Sequence, residues 1–332
     1  MNHPFVAANY ATRRCPALPH RFATALAAAV LLATSAWYAA PANSPAHLPA
    51  TRIVSLSPHI TELFFAVGAG GRLIGADAFS NYPQEAKRIE RVADVFAIDV
   101  ERLIALKPDL VVYWKSGTPK RQQEQLQSLG LTLYGTEQRS LADIEAALIE
   151  FGRLGGTVAE ARIAATTFHA DLQRLRERYS GRATLKVFYQ VWDRPLYTLT
   201  GAHVVSEVLN LCGATNVFSD LKGLAPVVDT EGVLARNPDV IIVAATGTEG
   251  ARQARAWARF SDLNAARTQR IYLIEPDLLN RMTPRILQGV EQLCNTLDQA
   301  RLRTGAAAPV AELPGLVRAD LRAASRSSVA RR

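Results

Sequence analysis

The chain has 332 residues but few of those that do most enzymatic chemistry: six His, three Cys and two Met. His59, His169 and His203 fall in the region that patterns as folded, far apart and away from any acidic cluster. A zinc or iron site built from side chains needs several converging ligands, so this dispersal argues against one. G-x-S-x-G, P-loop and C-x-x-C motifs are all missing. The run Gly68-Ala69-Gly70-Gly71 follows a predicted helix, whereas a dinucleotide-binding loop follows a strand. Ser, His and Asp occur without a spacing that links them as a triad. No enzymatic activity is expected.

The body of the chain also lacks a surplus of either charge. The net charge is +8, but residues 1–50 carry Arg13, Arg14 and Arg21 with no acid, and residues 301–332 carry seven Arg against Glu312 and Asp320. Residues 51–300 then hold 28 basic and 28 acidic residues, which excludes a nucleic-acid footprint on the folded part. Long apolar runs are confined to residues 22–40, which contain ALAAAVLLA, lie just after the three arginines and end at Ala40-Pro41-Ala42. This pattern predicts a signal peptide over residues 1–42 and a linker over 43–51. An uncleaved anchor is the alternative, since about 19 apolar residues approach the length that spans a membrane. Residues 303–332, rich in Ala, Arg and Ser, read as a disordered basic tail.

Cys15 precedes the apolar run, so export would leave the even pair Cys212 and Cys294. A disulfide there would close a loop of about 80 residues, worth roughly 4–5 kcal/mol in the chain-entropy picture. Two buried free thiols are the other arrangement.

The most informative feature present is a repeat. Residues 99–112 read DVERLIALKPDLVV and residues 229–242 read DTEGVLARNPDVII. Asp, Glu, Ala, Pro and Asp recur in register at 99/229, 101/231, 105/235, 108/238 and 109/239. Each copy supplies an N-cap Asp, a Glu in the first helical turn, a Pro that stops the helix and a short apolar run suited to a buried strand. A weaker parallel places Glu62-Leu63 before Gly68-Ala69 and Glu207-Val208 before Gly213-Ala214 at the same internal spacing.

Around the first copy, strands are predicted at residues 52–56, 72–75, 110–114 and 131–134, alternating with helices, which implies a parallel sheet. Around the second, strands at 186–191 and 270–274 flank a helix at 204–211, and a helix over 284–302 closes the chain. Between them, residues 141–179 pattern as helical, and residues 158–179 lack Gly and Pro and form one helix of about 30 Å. The organisation is an N-terminal α/β lobe over 52–140, a helical connector over 141–181 and a C-terminal α/β lobe over 182–302. Two such lobes leave a cleft, where small ligands bind. Phe79, Tyr82, Trp114, Trp192 and Tyr197 sit at strand ends or in the loops after them, where open α/β sheets bind ligands, and suit a large, flat, partly apolar molecule. Packing within each lobe's own core is the competing role for any one of them. Glu101 and Glu231, at matching helix starts, stabilise the helix dipoles and permit a pseudo-symmetric partner with two basic patches.

RIVSLSPHITEL, SNYP, ERLIALKPDLV, LCGATNVF, VLARNPD and NRMTPRILQGVEQLCN, in that order over residues 52–300, resemble the cobalamin-binding proteins of vitamin B12 ABC importers, within the helical-backbone metal-chelate receptors. The resemblance implies an α/β fold of two Rossmann-like lobes joined by a single long helix, the class III periplasmic binding protein architecture. It implies a periplasmic, monomeric carrier without a cofactor, whose ligand is cobalamin or a related corrinoid and whose partner is the ABC importer permease dimer. It points to Phe79, Trp114, the Trp192 and Tyr197 segment, Asp277 and Arg281 as ligand-binding residues, to Glu101 and Glu231 as permease-docking residues, and to Cys212 and Cys294 as a disulfide. Two cleft Trp positions of the family fall near Val95 and Ala225, with Phe96 beside the first. The alternative inside the family is a ferric-siderophore or haem receptor, although Arg281 is the one clear basic cleft candidate and anionic chelates ask for several. A periplasmic enzyme on a similar fold is the reading from another class.

Overall fold

Short runs that are apolar on every side make central strands, and the chain uses them in both halves. The computed structural model describes residues 49–302 apart from Val95. Its first lobe alternates β1 (Ile53–Ser55), α1 (Pro58–Ala66), β2 (Leu73–Asp77), β3 (Glu90–Ala93), α2 (Val100–Ala105), β4 (Leu110–Trp114), α3 (Lys120–Ser128) and β5 (Leu133–Thr136). The strands run parallel in the order β3-β2-β1-β4-β5. Two helices follow, α4 (Leu141–Leu154) and α5 (Val158–Tyr179). The second lobe contains β6 (Leu185–Asp193), β7 (Leu196–Thr198), α6 (Val204–Leu211), β8 (Ala214–Asn216), α7 (Thr230–Arg236), β9 (Val240–Val243), α8 (Gly247–Ala258), α9 (Asn264–Arg267), β10 (Ile271–Leu273), α10 (Pro276–Leu279) and α11 (Ile286–Leu302). Its sheet is ordered β10-β9-β6-β7, with β8 beside the start of β6.

The two copies of the repeat build the same unit twice. Asp99 caps α2 by accepting from the Arg102 amide at 3.0 Å, and Asp229 caps α7 by accepting from the Gly232 amide at 2.7 Å. Both helices then turn through the left-handed region, at Lys107 (φ 47°) and Asn237 (φ 42°), just before Pro108 and Pro238. The second repeated Asp has a job that its position alone does not reveal. Asp109 accepts from the backbone amides of Thr51 and Arg52 at 2.8 and 3.0 Å, and Asp239 accepts from the Lys186 amide at 2.8 Å. Each thereby clips the start of its lobe's first strand, β1 or β6, onto the repeat's own strand. The registers match: Ile53 pairs Leu110 and Val54 pairs Val111, while Val187 pairs Val240 and Phe188 pairs Ile241.

Alternation along the strands feeds three cores. Ile53, Leu110, Val112, Val187 and Tyr189 point into one continuous cluster shared with α4, α5 and α11, which joins the lobes. Val54 and Val111 pack on the outer face of the first sheet, and Phe188, Ile241 and Val243 on that of the second. α5, 22 residues long, extends about 33 Å as the connecting backbone. The buried pair Cys212 and Cys294 is a disulfide with Cα atoms 4.8 Å apart, tying the end of α6 to α11.

The helical stretch 141–179 comprises α4 and α5, divided at Gly155-Gly156, where Gly156 takes φ +61°, and α5 has the bounds expected of the long helix, 158–179. Two features depart from the pattern expected of the sequence. The second sheet is not wholly parallel, because β6 runs on past its parallel neighbours and folds back antiparallel into β7. α8, a polar helix whose buried face is chiefly Gly250, Gln253 and Trp257, carries too few apolar residues to show in the pattern. Among the described residues no helix is long and apolar enough to cross a membrane. The expected signal peptide over 1–42 and basic tail over 303–332 lie outside the described residues, as do residues 43–48 of the linker.

Candidate functional site

The carboxyl ends of the strands in both lobes converge on a cavity of about 280 Å3. Trp114, Ser116 and residues 137–139 line it from the first lobe; Ala202, His203, Leu224, Ala225 and Met282 line it from the second. Trp114 is the last residue of β4, so the strand itself aims it. Its indole packs against Gly117, where an added Cβ would fall 1.8 Å from the ring. His59 abuts it edge-on, with ring centroids 5.3 Å apart and planes at 82°. Glu137 completes the clamp, accepting from the Trp114 indole N–H at 3.4 Å and from the Ser116 amide and hydroxyl at 2.9 and 3.0 Å. Side chains with locked neighbours present a preformed face to a ligand.

A second group surrounds the loop after β2. Phe79 is exposed and sits in a turn fixed from below, where Asp77 accepts from the Ser80 hydroxyl at 2.6 Å and from the Phe79 amide at 3.3 Å. Burial pushes the Asp77 carboxyl above its ordinary range, against the Ser80 and Phe79 hydrogen bonds. The Ser80 hydroxyl also meets that of Thr61 at 2.7 Å, which in turn contacts Ser55. This polar chain roots the loop in β1 and α1.

The same loop is held from the other lobe by Arg281, which follows α10. One guanidinium nitrogen donates to Glu62 at 2.8 Å and to Asn81 at 2.7 Å. The other lies 2.8 Å from the Asp277 carboxylate and makes a longer contact, 3.4 Å, with the Phe79 carbonyl. Arg281 is thus buried and largely committed within the chain. Glu62 on α1 is the hub: its carboxylate also takes Arg285 Nε and Nη2 at 2.9 and 2.6 Å and the Thr283 hydroxyl at 3.1 Å. Arg285 then lies over the Tyr82 ring, 3.8 Å from its centroid. A mirror of this contact joins Glu207 of α6 to the start of α4, through the Leu141 amide at 2.8 Å, and to Arg176 of α5 at 3.2 Å. α1 and α6 are thus each tied to a distant part of the chain through a glutamate, Glu62 to the segment before α11 and Glu207 to α4 and α5.

Trp192 and Tyr197 form a third group, opposite each other on the β6–β7 hairpin. Trp192 is exposed and its indole donates to the Arg194 carbonyl at 3.1 Å. Asp193 anchors the hairpin to Arg252 of α8, which also pairs with Glu249.

Of the six residues expected to bind ligand, Trp114 lines the cavity. Phe79, Asp277 and Arg281 are joined in the network beside it, while Trp192 and Tyr197 stand on the separate hairpin. Ala225 lines the cavity with only a methyl group, and Phe96 is exposed on the first lobe with its carbonyl accepting from Gln122 at 3.0 Å. Val95 lies outside the described residues. Glu101 and Glu231 are both exposed in the first turns of α2 and α7. His59, Glu62, Glu137, His203 and Arg285 were not foreseen as site residues. For Glu62 a signal existed in the weaker repeat with Glu207; the others carry no pattern that sets them apart.

The histidines at the site are neutral. Burial and then the charge of Arg281 lower His59 to about 3, and its Nδ1 lies 2.8 Å from the Ser57 hydroxyl. Burial lowers His203 to about 4. Among the described residues no group of three or more His, Cys, Asp or Glu is placed to hold a metal ion.

Relatives agree with this architecture. A vitamin B12-binding protein of Vibrio cholerae is 35% identical over 271 residues, covering 82% of this chain and 98% of that protein. One from Vibrio parahaemolyticus is 32% identical over 257 residues, covering 77% and 92%. The crystal structure of the periplasmic vitamin B12 binding protein of Vibrio cholerae matches with a TM-score of 0.70 at 36% identity, covering 76% of this chain and 98% of that one. A periplasmic heme binding protein from Pseudomonas aeruginosa shares the fold, with a TM-score of 0.67 at 22% identity over 79% of this chain and 96% of that one. Residues 53–278 match the periplasmic binding protein family, and with two α/β lobes joined through the long helix α5 the chain belongs to it, in the class III architecture.

Proposed function

We propose that this protein is a periplasmic carrier that binds cobalamin or a related corrinoid in the cleft between its lobes and delivers it to an ABC importer. The observation that carries the proposal is the likeness, at 35% identity and across 98% of its length, to a protein named for vitamin B12 binding. The cleft suits such a ligand: a fixed indole face, exposed aromatics on the Phe79 loop and the β6–β7 hairpin, and polar groups for amide side chains. The ligand is held without covalent change and no cofactor takes part. Phe79, Trp114, Trp192 and Tyr197 supply apolar faces, Asp277 offers a carboxylate oxygen, and Arg281 acts mainly by fixing the Phe79 loop.

Export by the arginine-led apolar leader would place the protein in the periplasm. Glu101 and Glu231, exposed at equivalent points of the two lobes, would meet basic patches on the two subunits of a permease dimer. The test is titration of the exported protein with cyanocobalamin, cobinamide, haem and a ferric siderophore. Tight one-to-one binding of the corrinoids and weak binding of the other two supports the reading. Preferential binding of haem or siderophore, or no corrinoid binding, overturns it.

A further inference from the structure

His203 has two jobs available to it, and the structure closes one of them. The residue precedes α6 and caps it: its Nδ1 accepts a hydrogen bond from the Val205 amide at 3.2 Å. A backbone amide only donates, so Nδ1 must present a lone pair. The neutral imidazole, which burial enforces at ordinary pH, therefore carries its proton on Nε2. His203 lines the cavity together with Trp114, Ala225 and Met282. Among the described residues its Nε2 has no hydrogen-bond partner, and it is not one of the sealed polar atoms.

We infer that His203 is a specificity-determining hydrogen-bond donor to the periphery of the bound ligand, aimed at an amide or carboxylate oxygen, and is not an axial ligand to its metal. Axial ligation through Nε2 would need the lone pair that the Nε2 proton occupies, and freeing it would cost α6 its cap. A fixed donor rewards a ligand that carries oxygen acceptors around its rim, as the amides of a corrinoid do. The inference rests on the proposal that the cleft binds a corrinoid.

The full chain and its His203→Ser and His203→Asn variants are titrated with cyanocobalamin and aquacyanocobinamide, following heat of binding and the visible spectrum. Ser and Asn both cap helices well, so α6 and the melting temperature should be kept while the imidazole donor is lost. The expected result is cyanocobalamin binding weakened about two- to tenfold, as for one net hydrogen bond. Wild-type protein should leave the spectrum of aquacyanocobinamide that of the water-ligated form. Unchanged affinity in both variants overturns the donor role, and a wild-type shift to an imidazole-ligated spectrum that His203→Ser abolishes shows axial ligation instead. A wild-type protein that binds no corrinoid at all refutes the functional reading itself, an outcome distinct from either.

Discussion

Glu62 is expected to be the most sensitive polar residue in the fold, and Glu62→Gln tests why. Its carboxylate, with a side chain 3% exposed, faces guanidinium groups on side chains 10% and 17% exposed. The isosteric amide keeps the shape and an acceptor oxygen but removes the negative charge that Arg281 and Arg285 share. Stripping one partner from a buried ion pair costs about 3–5 kcal/mol, because the charge left behind is uncompensated. Asp277 still sits 2.8 Å from Arg281, and Tyr82 still lies under Arg285, so the lower end applies, about 3 kcal/mol. For a domain of this size that is a fall of roughly 6–12 °C in melting temperature. The internal control is Glu207→Gln, at the mirror position, where the carboxylate is 36% exposed and Arg176 is 42% exposed. Solvent screening reduces that loss to about 1 kcal/mol or less. The assay is urea unfolding with the Cys212–Cys294 disulfide intact, reading the midpoint at constant m-value. A Glu62 variant no less stable than its Glu207 counterpart would refute the buried-hub account.

Three further outcomes follow from the geometry. Gly117→Ala, a residue that need not touch ligand, should weaken corrinoid binding about tenfold, because its Cβ would sit 1.8 Å from the Trp114 ring and displace the indole; calorimetric titration reads it, and wild-type affinity would show that the Trp114 face is not used. Glu101→Ala and Glu231→Ala should each leave the binding constant unchanged and slow uptake into cells, the pair more than either alone, whereas wild-type uptake by the double variant removes the docking role. Stability should fall with acid: His59 and His203 stay neutral in the fold down to about 3 and about 4, while the unfolded chain protonates them near 6.5. Their contribution is therefore complete above pH 6.5 and shrinks as pH drops, by about 2 kcal/mol per histidine at pH 5. Urea midpoints at pH 7 and 5 check this, and equal or greater stability at pH 5 contradicts it.

The scaffold is legible in the sequence where one residue type has one physical use. Pro108 and Pro238 end helices, and the apolar runs after them have nowhere to go but a buried strand, so β4 and β9 lie where the pattern puts them. The site is legible only in part. Trp114 is visible because a strand end aims it. Arg281 reads as a free cation in sequence, yet in the fold it is taken up by Glu62, 219 positions away. Such partners cannot be seen along the chain, since the pairing depends on how two lobes meet. Glu62 illustrates the same limit: its spacing matches Glu207, but the spacing says nothing of the different burial that separates their roles. His203 carries no sequence pattern that marks it as the cap of α6, and its tautomer emerges only from the Val205 amide.

The claim that a corrinoid lies between the lobes against Trp114 is tested most directly by a crystal structure of the protein grown with cyanocobalamin. The account predicts a corrin in the cleft, one face near the Trp114 indole, with amides within reach of His203 and the Phe79 loop unmoved on its Arg281 anchor. An empty cleft at saturating cyanocobalamin, or a corrin bound elsewhere on the protein, would contradict it.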